Sequence, residues 1–298
     1  MAGPSAWPIK LENAAKLPPP LDVQLTDLLG CDEQLQELVA IPADSAASRR
    51  GAWERTRKVQ VLALTNQRVI VGIQAVRPGE APWVALPYHA ILSWEISQTL
   101  LYGRLDLRAE LDGQVVRTCI EFNTVGTELI VGALAPLERA TLGVSRSSRR
   151  RIPAGIDLPF KFGNFLADAL LPGEQVCDLV FQAAIVAPLF RFWRRLIMPG
   201  TVIAGTDRRL LVIREEAKLN ADRYGYSILT LPRRWAGGLA VDDDGTWLTL
   251  VDSAHLGDIR LLVARSHAAL LWDLVSRLRD AAAAPLPEPV IEQTARTF

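Results

Sequence analysis

Two stretches of the chain carry nearly the same text at one fixed spacing. Residues 33–39 read Glu-Gln-Leu-Gln-Glu-Leu-Val and residues 174–180 read Glu-Gln-Val-Cys-Asp-Leu-Val, an offset of 141. The same offset relates Thr65-Asn66-Gln67-Arg68-Val69 to Thr206-Asp207-Arg208-Arg209-Leu210. It also relates Leu129, Ile130, Leu134 and Leu137 to Leu270, Leu271, Val275 and Leu278. One offset held across three separated blocks means a duplicated module. The period far exceeds the ~20–50 residues of solenoid and propeller repeats, so each copy is expected to be a domain with its own core.

At 298 residues, 49% hydrophobic and 22% charged, the chain has apolar material for two such cores. Formal net charge is zero, so no nucleic-acid partner is expected and any electrostatic function must be local. The apolar stretches break well before the ~18 residues of a spanning helix, and no basic-then-apolar leader opens the chain, which predicts a cytoplasmic protein. Cys31, Cys119 and Cys177 are odd in number and out of register between copies, which reads as reduced thiols rather than a disulfide framework. Arginine far outnumbers lysine, a composition that suggests a GC-rich bacterial source.

Pro4, Pro8 and the run Pro18-Pro19-Pro20 predict a disordered tail over residues 1–20. The remaining divisions are a first domain over 21–141, a linker over 142–155, a second domain over 156–281 and a second tail over 282–298. Each domain opens with a short amphipathic helix, over 22–29 and 162–171, and closes with a stronger one, over 124–138 and 266–280. Pro136 should kink or end the first closing helix. Leu271, Trp272, Val275 and Leu278 are expected on the core face of the second. Between the helices, each copy shows seven short strand-like runs bounded by turn residues, without strand–helix alternation. This predicts a mainly β fold of two seven-stranded sandwiches or partly open barrels, each a separate body closed by its C-terminal helix.

The strand count, the capping helix and the hairpin phrases Leu-Thr-Asn-Gln-Arg-Val-Ile-Val (64–71) and Gly-Thr-Asp-Arg-Arg-Leu-Leu-Val (205–212) resemble bacterial pleckstrin-homology-like (PH-like) and GRAM-type domains. The resemblance spans about 28–140 and 170–280. It implies a binding or assembly role without chemistry. Read from the residues alone, Asn66 and Asp207 suit a tight turn, and Arg68 and Arg209 are expected to satisfy nearby carbonyls or carboxylates.

The connection after the first strand carries the candidate binding residues. In copy one these are Arg49, Arg50, Trp53 and Arg55, followed by Arg57 and Lys58; in copy two they are Arg191, Phe192, Trp193, Arg194 and Arg195. Guanidinium groups among large aromatics suit a partner protein, or an anionic membrane surface at the inner face of the cell membrane. A packed strand or lid with solvent-facing arginines accounts for them equally simply. The basic cluster Arg146–Arg151 reads as a solvated linker, and Asp242-Asp243-Asp244-Gly245 as a polar turn, since it lacks the spacing of a calcium loop. His89, His255 and His267 stand far apart, and no nucleophile, metal or phosphate-loop motif occurs, so no cofactor, metal or enzymatic activity is expected. The leading expectation is a scaffold that binds a protein or self-associates; the alternative is a peripheral membrane adaptor.

Overall fold

A computed structural model of the chain describes residues 7–42, 58–75, 82–143, 158–190, 193–215, 225–243, 247–252 and 261–283. Copy one begins with β1 (Ile9–Lys10) and α1 (Leu21–Leu28). Seven strands follow: β2 (Leu35–Ile41), β3 (Lys58–Thr65), β4 (Arg68–Ala75), β5 (Trp83–Pro87), β6 (Ile91–Thr99), β7 (Tyr102–Leu111) and β8 (Gln114–Asn123). The copy closes with α2 (Thr127–Ala133) and α3 (Ala135–Leu142). Copy two starts with α4 (Phe160–Ala169) and β9 (Val176–Gln182), then a hairpin of β10 (Ile185–Phe190) and β11 (Trp193–Met198). It continues through β12 (Thr201–Thr206), β13 (Arg209–Glu215), β14 (Gly225–Pro232), β15 (Leu239–Asp243), β16 (Trp247–Asp252), β17 (Leu261–Ala264) and α5 (Ala268–Ala283).

The fold is mainly β, with antiparallel strands throughout. Alternation makes it so. Along β7, Gly103, Leu105, Leu107 and Ala109 are buried, while Arg104, Asp106, Arg108 and Glu110 face outward. Asp112 and Gly113, with φ of 52° and 75°, form the tight β7–β8 turn in the left-handed region that a two-residue hairpin requires. Val39, Leu62, Val71, Trp94, Leu107 and Ile120 build the first core between two sheets, with α2 and α3 at its end. The outer face of β2–β5 is apolar as well, and α1 covers it through Leu21 and Leu25. Copy two repeats this plan, with α4 on the outer face and α5 against the core. Pro136 sits in the first turn of α3, so the closing helix is broken in two as expected, while α5 runs unbroken.

The two copies do not close separately. β6 pairs antiparallel with β14, from Thr99↔Gly225 to Trp94↔Thr230, giving one continuous sheet in the order β8-β7-β6-β14-β13-β12-β9. The other sheets are β1–β5, β15–β17 and the β10–β11 hairpin; all are open. Each copy leaves a long edge strand at this point, and pairing the two edges satisfies both rows of backbone groups. The side-chain register shows a consequence: Ile96, in the first core, stands beside Ile228, which packs under α4, whereas Glu95, outside the first core, stands beside Leu229 of the second. The shared sheet therefore keeps its two cores on opposite faces. Leu92 of copy one packs into the second core and Leu171 of copy two into the first. Arg234 Nη2 donates to Tyr88 O (2.7 Å), Trp235 Nε1 to Ile91 O (2.7 Å) and Arg208 Nη1 to Leu142 O (2.8 Å), which caps the end of α3.

Two further expectations are corrected. Residues 9–17 are ordered rather than a tail: Ile9 and Lys10 pair with Ala40 and Val39, Leu11 N donates to Leu38 O (2.9 Å), and Leu17 is 3% exposed. The prolines lie on either side, at 8 and 18–20, and leave these donors free to bond. Leu271, Leu274, Val275 and Leu278 are buried on α5, whereas Trp272 is 47% exposed, because one residue along a helix turns the side chain by about 100°. The linker cluster Arg146–Arg151 and the segment 284–298 lie outside the described residues.

Candidate functional site

The repeated blocks meet in space. In copy one Glu33 receives Thr65 Oγ1 (2.7 Å) and Arg68 Nε (2.8 Å) on Oε1, and Arg68 Nη2 (2.7 Å) and Gly30 N (3.1 Å) on Oε2. Arg68 Nη2 also donates to Leu28 O at the end of α1 (2.7 Å). Copy two reproduces each contact: Glu174 receives Thr206 Oγ1 (2.7 Å), Arg209 Nε (2.8 Å), Arg209 Nη2 (2.8 Å) and Leu171 N (2.7 Å), and Arg209 reaches Ala169 O (2.7 Å). Thr65 Oγ1 accepts from Gln67 N (3.1 Å) and Arg68 N (3.0 Å), so the hydroxyl shapes the hairpin turn. Asn66 does not adopt a left-handed backbone; its Oδ1 accepts from Gln34 N (2.9 Å), as Asp207 Oδ1 does from Gln175 N (3.0 Å).

Electrostatics follow burial. The charge-assisted bonds from Arg68 hold the Glu33 carboxyl at about 2 and raise the Arg68 guanidinium. Burial pushes Glu174 up, but the charge and hydrogen bonds of Arg209 outweigh it and leave the carboxyl below its ordinary value. The Arg–Glu–Thr cluster locks the opening helix to the β3–β4 or β12–β13 hairpin, and its polar groups are consumed in doing so.

Of the binding residues expected from sequence, Arg49, Arg50, Trp53, Arg55, Arg191 and Phe192 lie outside the described residues. Trp193, Arg194 and Arg195 belong to β11, facing Phe190, Pro188 and Ala187 across the hairpin. The copy-two connection is therefore a β-hairpin where a loop was expected. No two-residue period marks it in the sequence, where the apolar residues 189–190 and 196–197 are adjacent and arginines stand between the pairs. Its outward positions Val186 and Ile197 are 41% and 45% exposed. At its base Gln182 takes Ala264 N on Oε1 (2.6 Å), while in copy one Gln60 exchanges two bonds with the backbone of Glu121 (2.9 and 3.0 Å).

Strand register traces where these connections emerge. Gln60, beside Lys58, contacts Glu121 of β8; Glu121 pairs with Arg104, and Tyr102 with Thr99 at the end of β6. Thr99 pairs with Gly225, Tyr226 with Glu215, Arg214 with Thr201, and Thr201 with Gln182 at the foot of the hairpin. Both flanks of the 43–57 connection and the base of the 185–198 hairpin thus stand along one end of the molecule. That end also carries Leu100, Leu101 and Val125, which are 59%, 66% and 66% exposed, and Leu100 holds a left-handed φ of 49°. Thr124 ties Val125 to this tip through bonds to the carbonyls of Leu100 and Leu101. Nothing in the sequence singles out this tip, where Leu100 and Leu101 lie between two strand-like runs.

Among the described residues no helix is long and apolar enough to cross a membrane, and no group of three or more His, Cys, Asp or Glu side chains could hold a metal ion. No protein-family model, curated protein or solved structure matches the chain.

Proposed function

We propose that the chain is a non-enzymatic binding and assembly module, a cytoplasmic scaffold of two PH-like copies that presents both first-strand connections to one protein partner. The order within each copy supports the kinship: an opening helix, four strands, three strands and a closing helical segment, with the β10–β11 hairpin inserted after the first strand of copy two and the Thr-x-x-Arg hairpin anchored on the equivalent Glu33 or Glu174. One observation carries the role: the β6–β14 ladder aligns the flanks of 43–57 and the 185–198 hairpin at one end. Two weak contacts on one rigid frame reinforce each other through effective concentration.

The test is site-specific photo-crosslinking from Val186 and Ile197 in the native cell. A discrete protein adduct that fades when residues 43–57 are replaced by a Gly-Ser linker is expected. No adduct from either position, or one indifferent to the replacement, sinks the reading. An adduct at twice 32.8 kDa, matched by light scattering, identifies the partner as a second copy. A membrane-adaptor reading draws on the same alignment, since the sequence of both connections is basic and aromatic. Salt-sensitive co-sedimentation with anionic but not neutral vesicles, without a protein adduct, would replace the scaffold reading with that one.

A further inference from the structure

The outward face of β6–β8 beside the junction sets Arg104, Arg108 and Arg117 among the carboxylates of Glu95, Asp106, Glu110 and Glu121, yet leaves buried donors without an acceptor. Antiparallel register sets its side chains in rows, because directly paired residues share a face. In one row Asp106 stands beside Glu95, and both acids are engaged: Asp106 by Arg104 (2.7 and 2.5 Å), Glu95 by Arg214 Nη2 (2.7 Å). The next row is Ser93, Arg108 and Arg117, neighbours on β6, β7 and β8, with Glu110 two residues from Arg108 on the same face. Ser93 is 1% exposed. Its hydroxyl and Arg108 Nη1 are buried without a hydrogen-bond partner, as are the Nε groups of Arg214 and of Arg234, which reaches over Ile91 of β6.

Such a row is unfavourable in isolation. Arg108 and Arg117 are like charges directly opposite each other, an arrangement that costs stability in a sheet. A buried donor with no acceptor costs roughly 1–3 kcal/mol. Burial pushes the Arg108 guanidinium below its ordinary pKa, against the opposing pull of Glu95. Solvent still reaches the row, since Arg117 is exposed and the Arg214 side chain is 33% exposed.

We propose that Ser93, Arg108 and Arg117, flanked by Arg214, form a binding site for an oxyanion, a phosphate or carboxylate group. Guanidinium groups on adjacent strands can each give such a group paired N–H bonds, and the Ser93 hydroxyl can supply a further donor from below. A bound anion would offset the like charges of Arg108 and Arg117 and give the Ser93 hydroxyl and Arg108 Nη1 the acceptor they lack. The site is separate from the 43–57 and 185–198 connections, so it stands or falls independently of the scaffold reading.

The experiment is thermal unfolding of the full chain titrated with phosphate, sulfate or acetate against chloride at matched ionic strength. Wild type is expected to show a saturable rise in midpoint with at least one oxyanion beyond that in chloride. Phosphate and sulfate acting alone identify a tetrahedral group, and acetate acting as well a carboxylate. Arg108→Gln should weaken the apparent affinity at least about tenfold, the loss expected for charge-assisted bonds, and Arg108→Lys should fall between. Phosphate and sulfate stabilise many proteins by surface exclusion, so an equal rise in wild type and Arg108→Gln overturns the site. No rise beyond chloride overturns it too. If Arg108→Gln fails to fold, Arg108→Lys and Ser93→Ala carry the comparison, and affinities equal to wild type in both refute the proposal.

Discussion

Glu174 and Arg209 have side-chain exposures of 0% and 1%, whereas their counterparts Glu33 and Arg68 have 3% and 26%. Removing one member of a fully buried pair strands the other charge, at a cost of about 3–5 kcal/mol. Arg209→Met is therefore expected to lose stability in that range, and Arg68→Met clearly less, because water reaches its site; urea titration measures both. Adding Glu174→Leu to Arg209→Met should recover most of the loss. The copy-one pair also predicts a pH dependence. Glu33 is held at about 2 in the folded chain against an ordinary 4.5, so the unfolded chain takes up its proton first. Its stabilisation is complete above about 4.5 and drains away as pH falls toward 2. Stability followed across that window should fall more steeply in wild type than in Arg68→Met, where Glu33 loses the bond that depresses it. The duplicated text was readable, but its meaning was not. Glu33 and Arg68 lie 35 positions apart in different blocks, and only the folded chain shows that the blocks are two sides of one ionic cluster.

At the level of strands and helices, closure depends on a side-chain amide. Gln60 is 6% exposed and stands in for a backbone partner at Glu121, bridging β3 to the edge of β8. Gln60→Leu fills similar space but orphans a donor and an acceptor, for an expected loss of about 1–3 kcal/mol. Hydrogen exchange at the Glu121 amide should quicken with it; an unchanged rate would mean that water replaces the bridge at no cost. Strand positions in both copies were legible because core and surface residues alternate between clear turn signals. β1 was not, since prolines on both sides mask a stretch whose strand character comes from docking on β2. The β10–β11 hairpin was hidden by charge, as arginines within an apolar run obscure a two-residue period. The pleat also left the outward row of β7 in plain view as Arg104, Asp106, Arg108 and Glu110, but which acid serves which arginine depends on cross-strand neighbours far away in sequence.

For the whole molecule, the junction decides whether the duplication makes two domains or one body. It combines a backbone ladder, an exchanged leucine in each direction and the Glu95–Arg214 ion pair. A protease site introduced between 144 and 157 and cleaved after folding should leave both fragments co-eluting as one species near 32.8 kDa in gel filtration. Separate elution would show that these contacts together are too weak to unite them. Sequence gave no warning of this union, because an edge strand that pairs with another edge carries the same residues as one facing water.

That ladder has a cost in time during synthesis. The last β6 residue of the contact, Thr99, is made 126 residues before its mate Gly225 and the ladder cannot be completed before Thr230. At ~5–20 residues per second, the emerging first half waits roughly 6–26 s with a nine-residue strand unprotected. On a crowded polysome, neighbouring nascent chains offer that strand the wrong mate, so codon changes that slow translation between β6 and β14 should lower soluble yield without altering a single amino acid.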